Sequence, residues 1–254
     1  MGSKIICGKW EDEFPKLADE SVDLILTDPP YGLRQSVSNV PGDTRWCKSG
    51  ESESRFTEAL EGDDPKEYAA INWQEFFQQC YRVLKNDRYC VLHCQVPFVG
   101  QRWEDIKKSK LQYKGTIAWS KKFAIGGDLK GTAKRDWEPI VYLAKGKPSL
   151  NPLEVTRKGK LASRKRISEI EDWVFPLKKS EKRGHPTQKP QALAEQIVRW
   201  MCQRGQTVLD PFMGSGTTLM ASELHGRVGV GIELIEEFCI IAEKRLKEIS
   251  REEV

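Results

Sequence analysis

The sequence predicts an α/β fold with a doubly wound, mostly parallel β-sheet. Three short runs, Val22–Leu26, Thr207–Asp210 and Val228–Ile232, are nearly continuous in apolar residues. Strands of this kind are buried on both faces, as in a parallel sheet covered by helices. Two of the three stop at an acid followed by proline, and the third ends at Glu233. In open α/β sheets ligands bind at the carboxyl ends of the strands, so these stops also locate the candidate chemistry. A length of 254 residues suits one sizeable domain with a decorated edge.

In chain order, residues 4–7 form a short strand, and Trp10, Phe14 and Leu17 follow on one face of an amphipathic segment. The strand from Val22 must stop at Asp28, because Pro29 and Pro30 cannot donate ladder hydrogen bonds. Residues 32–64 are polar and lack a sustained period, which predicts a long mobile loop of functional type. Trp73, Phe76, Phe77, Cys80, Val83 and Leu84 share one helical face, with Asn72 and Glu75 spaced as a capping box. A turn at Asn86-Asp87 precedes a strand over residues 89–94, and further strands are expected over 115–119 and 139–143. Pro190 opens a helix with Leu193, Ile197, Trp200 and Met201 inward. After the strand ending at Asp210 a helix begins near Leu219. Leu234, Ile235, Phe238, Ile241, Ala242, Leu246 and Ile249 then recur at the spacing of a final packed helix.

Composition excludes several classes. With 39% hydrophobic and 31% charged residues, and no apolar run near the ~20 residues of a membrane span, the chain reads as a globular cytoplasmic protein. Met1-Gly2-Ser3 reads as an appended start rather than a targeting sequence. Seven cysteines, an odd number lying mostly in apolar runs, suggest reduced, buried thiols rather than a disulfide framework. Cys90, His93 and Cys94 fall in one strand without a second ligand pair, so core packing is preferred to a metal site, and no metal is expected. Net charge is only +4, but residues 107–166 hold 17 Lys or Arg against four acids. That imbalance favours a polyanionic partner. Residues 145–184 read as a basic insertion on the core domain, too poor in apolar residues for a core of their own.

Asp28-Pro29-Pro30-Tyr31 places a carboxylate, a rigid backbone carbonyl at Pro29 and an aromatic face at one strand tip. The exocyclic amine of a nucleobase is a poor nucleophile because its lone pair is delocalised into the ring. A carboxylate and a carbonyl that accept its two N–H bonds would localise that pair by fixed electrostatics. Tyr31 could stack on a base taken out of the helix. The alternative is a plain polar turn.

The second strand tip reads Asp210-Pro211-Phe212-Met213-Gly214-Ser215-Gly216-Thr217-Thr218 and leads into a helix, with Glu233 at the next strand end. The glycines permit a tight turn and close approach of a ligand, and the helix N-terminus favours an anion. Glu233 is placed to bind two ribose hydroxyls. No Gly-Lys-Ser/Thr follows the glycines, so this is not a P-loop, and the full dinucleotide fingerprint is also missing.

Asp28-Pro-Pro-Tyr31, His185-Pro-Thr-Gln-Lys-Pro190 and the 210–218 motif, in that order, resemble the amino-group DNA methyltransferases of the β permutation class. In that family the catalytic strand precedes the cofactor strand and a target-recognition segment lies between them. The resemblance implies a circularly permuted methyltransferase fold and the cofactor S-adenosyl-L-methionine. By motif, it implies that Asp28 and Pro29 hold the target amine, with Pro30 beside them, and that Tyr31 stacks on the base. It implies that Asp28 and the segment from Asp210 and Pro211 through Phe212, Gly214, Ser215, Gly216, Thr217 and Thr218 line the cofactor. Glu233 would then take the ribose, while Thr187, Gln188 and Lys189 close the methionine end. Gly8-Lys9 stand where the family often has an acid near the cofactor adenine.

Asp28 preceded by Thr27 resembles the adenine-N6 group; cytosine-N4 methylation and a catalytically inactive DNA-binding relative are the alternatives. A cytosine-C5 enzyme would need a Pro-Cys nucleophile, which is absent. Protein glutamine methylators carry Asn-Pro-Pro-Tyr and the opposite motif order. Double-stranded DNA is the expected partner, gripped through Arg34, Arg45 and Lys48 in the long loop, Lys121 and Lys122, and the basic block Arg157, Lys158, Arg164, Lys165 and Arg166. A restriction endonuclease of the same system and a second copy of the chain are further partners that the resemblance allows.

Overall fold

The computed structural model describes residues 2–30, 71–125, 135–150, 169, 173–176 and 188–252. The chain divides into a main body, residues 1–29 and 73–254, and a separate unit, residues 30–72. Only Pro30, Ile71 and Asn72 of the second unit are among the described residues.

The main body carries seven strands in one sheet. These are β1 (Lys4–Cys7), β2 (Val22–Thr27), β3 (Leu84–His93), β4 (Gln112–Ile125), β5 (Arg135–Lys145), β6 (Thr207–Asp210) and β7 (Val228–Glu233). Their order across the sheet is β1-β7-β6-β2-β3-β5-β4. The pairs from β1 to β3 are parallel; β5 runs antiparallel to both β3 and β4. The helices are α1 (Trp10–Glu13), continued by a 3-10 turn over Phe14–Lys16, α2 (Trp73–Val83), α3 (Phe98–Lys108), α4 (Gln191–Met201), α5 (Thr217–Leu224) and α6 (Glu236–Glu252). The expected mostly parallel sheet is therefore present.

Every residue of β2 is buried, as its apolar run requires. Asp23 lies inside that run and is only 1% exposed. Lys85 Nζ at 2.8 Å, Arg88 Nε at 3.1 Å and the Thr207 backbone N–H at 3.1 Å satisfy its carboxylate. Burial raises its pKa, but these partners outweigh that effect and hold it below the usual value. On one face of the sheet Leu24, Leu26, Val91 and Ile117 pack with Leu193, Ala194, Ile197 and Val198 of α4. The apolar spacing of α4 is satisfied in this way.

Three sequence expectations change. Cys7 and Cys239 are paired, with Cα atoms 6.3 Å apart, because the end of β1 meets the first turn of α6. Cys80, Cys90, Cys94 and Cys202 are free and buried, as expected; Cys47 lies outside the described residues. The turn expected at Asn86-Asp87 does not delay β3, which starts at Leu84 opposite Val22 and absorbs a positive φ of 58° at Asp87. Helix α3 and the full length of the β4–β5 hairpin exceed what the local pattern predicts. Within the basic insertion, Trp173 is completely buried in the main core. Its backbone carbonyl accepts from Ser120 N–H at 2.8 Å, so this part of the insertion lines the free edge of β4.

Candidate active site

Strands β2 and β6 are neighbours in the sheet, and their carboxyl ends carry the two motifs. Thr27, the last residue of β2, donates its hydroxyl to Asp210 Oδ1 at 2.7 Å, a bond that spans 183 residues of chain. Asp210 also accepts the Phe212 backbone N–H at 3.1 Å. Complete burial raises the Asp210 pKa to about 7, against the lowering effects of Thr218, Thr27 and Phe212. The charge of Asp28 adds to the rise. A buried acid thus stands beneath both candidate sites.

The glycine loop has the form that its residues require. Gly216 takes φ +82° and starts α5, and a Cβ placed there would lie 2.8 Å from that of Ala242. A side chain is excluded by both conformation and space. Glu233, 7% exposed, accepts the Gly214 N–H on Oε2 at 2.8 Å and the Ile235 N–H on Oε1 at 2.9 Å. Burial raises its pKa while these N–H groups pull it back. Each oxygen keeps lone-pair capacity for a further hydroxyl. Gln188, 8% exposed, accepts the Ser215 hydroxyl at 3.5 Å. Phe212 forms the end of an aromatic wall, its ring centroid 5.6 Å from Phe76 and 6.3 Å from Trp10. Pro211, Ser215, Thr217 and Thr218 are buried around the loop.

At the other tip, Asp28 is half-buried, and Pro29 is buried. Lys189 Nζ donates to Asp28 Oδ2. Lys189, expected at the methionine end of the cofactor, is joined in this structure to the carboxylate of the other motif. Beyond Gly8, whose N–H donates to Glu233 O at 2.8 Å, Lys9 is exposed and precedes α1 without a side-chain bond to it, and Glu13 lies beside Gly8. An acid is thus near the β1 tip, though one turn later than the family pattern puts it.

Tyr31, Arg34, Arg45, Lys48, Arg157, Lys158, Arg164, Lys165, Arg166 and Thr187 lie outside the described residues, and so does the side chain of Lys122. Lys121 is described, and its ammonium pairs with Glu138 and lies 5.3 Å from the Trp119 ring centre. In this structure its charge is held within the hairpin.

Two participants lie outside the motifs. Thr27 carries no signal in the sequence beyond its place before Asp28. Arg245 of α6, 6% exposed, donates to the Ser215 carbonyl at 2.5 Å and to its hydroxyl at 3.1 Å. It lies three residues from Ala242 and four from Ile249, and a cation on an otherwise apolar helix face was the available signal.

The family model N6_N4_Mtase, described as DNA methylase, matches residues 22–244, a span that includes both strand-tip motifs. The chain belongs to this family. It is 25% identical over 255 residues to the type II methyltransferase M.HpaI of Haemophilus parainfluenzae, covering 97% of this chain and 74% of that protein. It is 29% identical over 267 residues to the DNA adenine methyltransferase YhdJ of Escherichia coli K12, covering 95% and 82%. The fold matches the M1.HpyAVI–SAM complex with a TM-score of 0.66 at 23% identity, over 95% of this chain and 98% of that one. This member of the family is a DNA methyltransferase, and its mostly parallel sheet of seven strands is the sheet of S-adenosylmethionine-dependent methyltransferases.

Proposed function

We propose that the protein transfers a methyl group from S-adenosylmethionine to the N6 amine of adenine in double-stranded DNA, on a base everted into the Asp28 site, and that it belongs to the β permutation class. The observation that carries this reading is the Thr27–Asp210 bond, which holds the amine-accepting tip beside the glycine loop. Thr27-Asp28 and the likeness to an adenine methyltransferase support adenine over cytosine N4. The chain order, β2 with Asp28 before β6 with the glycine loop, supports the permuted class.

The residues of the loop fit the cofactor. Gly214 and Gly216, at φ +51° and +82°, give the loop its tight turn, Glu233 has lone pairs for the ribose, and Phe212 offers an aromatic edge. When bound, S-adenosylmethionine supplies an electrophilic methyl group. Asp28 and the Pro29 carbonyl accept the N–H bonds of the amine and so localise its lone pair. Asp28 is also positioned to take the proton that the amine sheds. Tyr31 stacks on the everted base, and Arg157, Lys158, Arg164, Lys165 and Arg166, with Arg34, Arg45 and Lys48, bind phosphates; these roles rest on the sequence. A cytoplasmic location is part of the same reading.

Asp28→Ala tests it. Turnover should fall by at least ~10²-fold, as for loss of one preorganised polar group, while calorimetry finds S-adenosylmethionine binding intact. Near-normal methyl transfer by this variant would remove Asp28 from the reaction.

A further inference from the structure

His93 ends β3, and the preceding residue, Leu92, is in register with Thr27 of β2. Asp28 and His93 therefore leave the sheet next to each other, on the face opposite Thr27 and Leu92. The imidazole is 5% exposed, with the Trp119 ring edge-on at 6.2 Å. Its Nδ1 is fully buried and has no hydrogen-bond partner among the described residues. Such a nitrogen is unusual in a finished core, and an unpaired polar atom beside a reactive carboxylate is what a site awaiting a ligand shows. The ring is also neutral: burial first, then the Lys189 charge, lowers its pKa to about 3, against the opposing effect of Asp28.

Building on the proposed amine methylation, we infer that His93 is a specificity-determining residue that donates a hydrogen bond from Nδ1 to the ring nitrogen beside the target amine. Adenine and cytosine share that edge, an amine next to an acceptor nitrogen. Guanine and thymine present a carbonyl next to an N–H, so a donor at this place meets a donor and the wrong base is rejected. A neutral donor suits the chemistry, because an imidazolium would pull the amine's lone pair further into the ring. The Lys189 ammonium, which donates to Asp28 Oδ2, stands in for the incoming amine. The base replaces it there and brings its ring nitrogen to His93.

The test is a cycle of two enzymes and two substrates, with duplexes carrying the methylated site. One substrate has the normal base, and the other has C–H in place of the ring nitrogen beside the amine. Wild type should lose about tenfold in kcat/KM on the altered base beyond what His93→Phe loses, the size of one hydrogen bond. His93→Phe should itself lose about tenfold on normal DNA while keeping its cofactor affinity and, near neutral pH, its melting temperature. His93→Asn, whose amide N–H falls near the place of Nδ1, should restore the sensitivity to the altered base and serves if the Phe variant does not fold. Equal losses on the altered base for wild type and His93→Phe would overturn the contact, and so would insensitivity of both wild type and His93→Asn to the altered base. Absence of methyl transfer to any amino base by wild type would instead overturn the amine reading on which it rests.

Discussion

The hydroxyl of Thr27 donates to Asp210 across two neighbouring strands, so the ends of β2 and β6, which carry the two motifs, are fixed to each other by one buried bond of 2.7 Å. Its removal should be felt at both sites. Thr27→Val keeps the shape of the side chain and leaves Asp210 with one donor fewer. Stability should fall by roughly 1–3 kcal/mol, the cost of a buried acceptor losing a partner, as read by urea unfolding. Cofactor affinity and turnover should fall together; a change in one alone would mean that the bond does not couple the tips.

Gly216→Ala should cost about 1–3 kcal/mol for a left-handed backbone alone, and contact with Ala242 adds to it. Thermal unfolding and cofactor titration should both show the loss. Ala242→Gly in the same chain should recover the part due to the clash and leave the backbone part.

The motifs of both tips were legible because they are local. A run of apolar residues ending in Asp-Pro-Pro, and glycines between a strand and a helix, each dictate their own backbone. What was not legible is set by distance along the chain. Lys189 and Asp28 are 161 residues apart, and nothing near either residue signals the pair. His93 read as core because Cys90 and Cys94 share its strand, and its neighbour Asp28 is reached only through the β2–β3 register. Helix α3 was missed because only Phe98 and Ile106 are buried in its 11 residues, too few to set a period.

Two buried titrating groups give opposite pH slopes. Asp210, with its pKa raised to about 7, holds in the folded state a proton that the unfolded chain has lost, so its contribution to stability falls as pH rises from about 4 to 7. His93, with its pKa lowered to about 3, stays neutral where the unfolded chain binds a proton, so its contribution rises from about pH 3 to 6.5. Wild type should show a shallow dependence between pH 4 and 6.5. Asp210→Asn should leave a stability that rises with pH over that window, and His93→Phe one that falls. Melting curves at several pH values check this; parallel curves for the three proteins would contradict the assignment.

Glu233 closes the glycine loop through Gly214 and Ile235 and is the expected ribose acceptor. Glu233→Gln retains an acceptor oxygen but only one, so it should weaken S-adenosylmethionine binding by about tenfold with a smaller effect on stability. Calorimetry alongside thermal unfolding separates the two.

Transfer of a methyl group to the N6 amine of adenine in duplex DNA is read out by nucleoside mass spectrometry after incubation of duplex DNA with the protein and labelled S-adenosylmethionine. The label should appear in N6-methyladenine in wild type and be lost with Asp28→Ala. Label in N4-methylcytosine and none in N6-methyladenine would contradict the choice of base, and label in neither would contradict methylation of a DNA amine altogether.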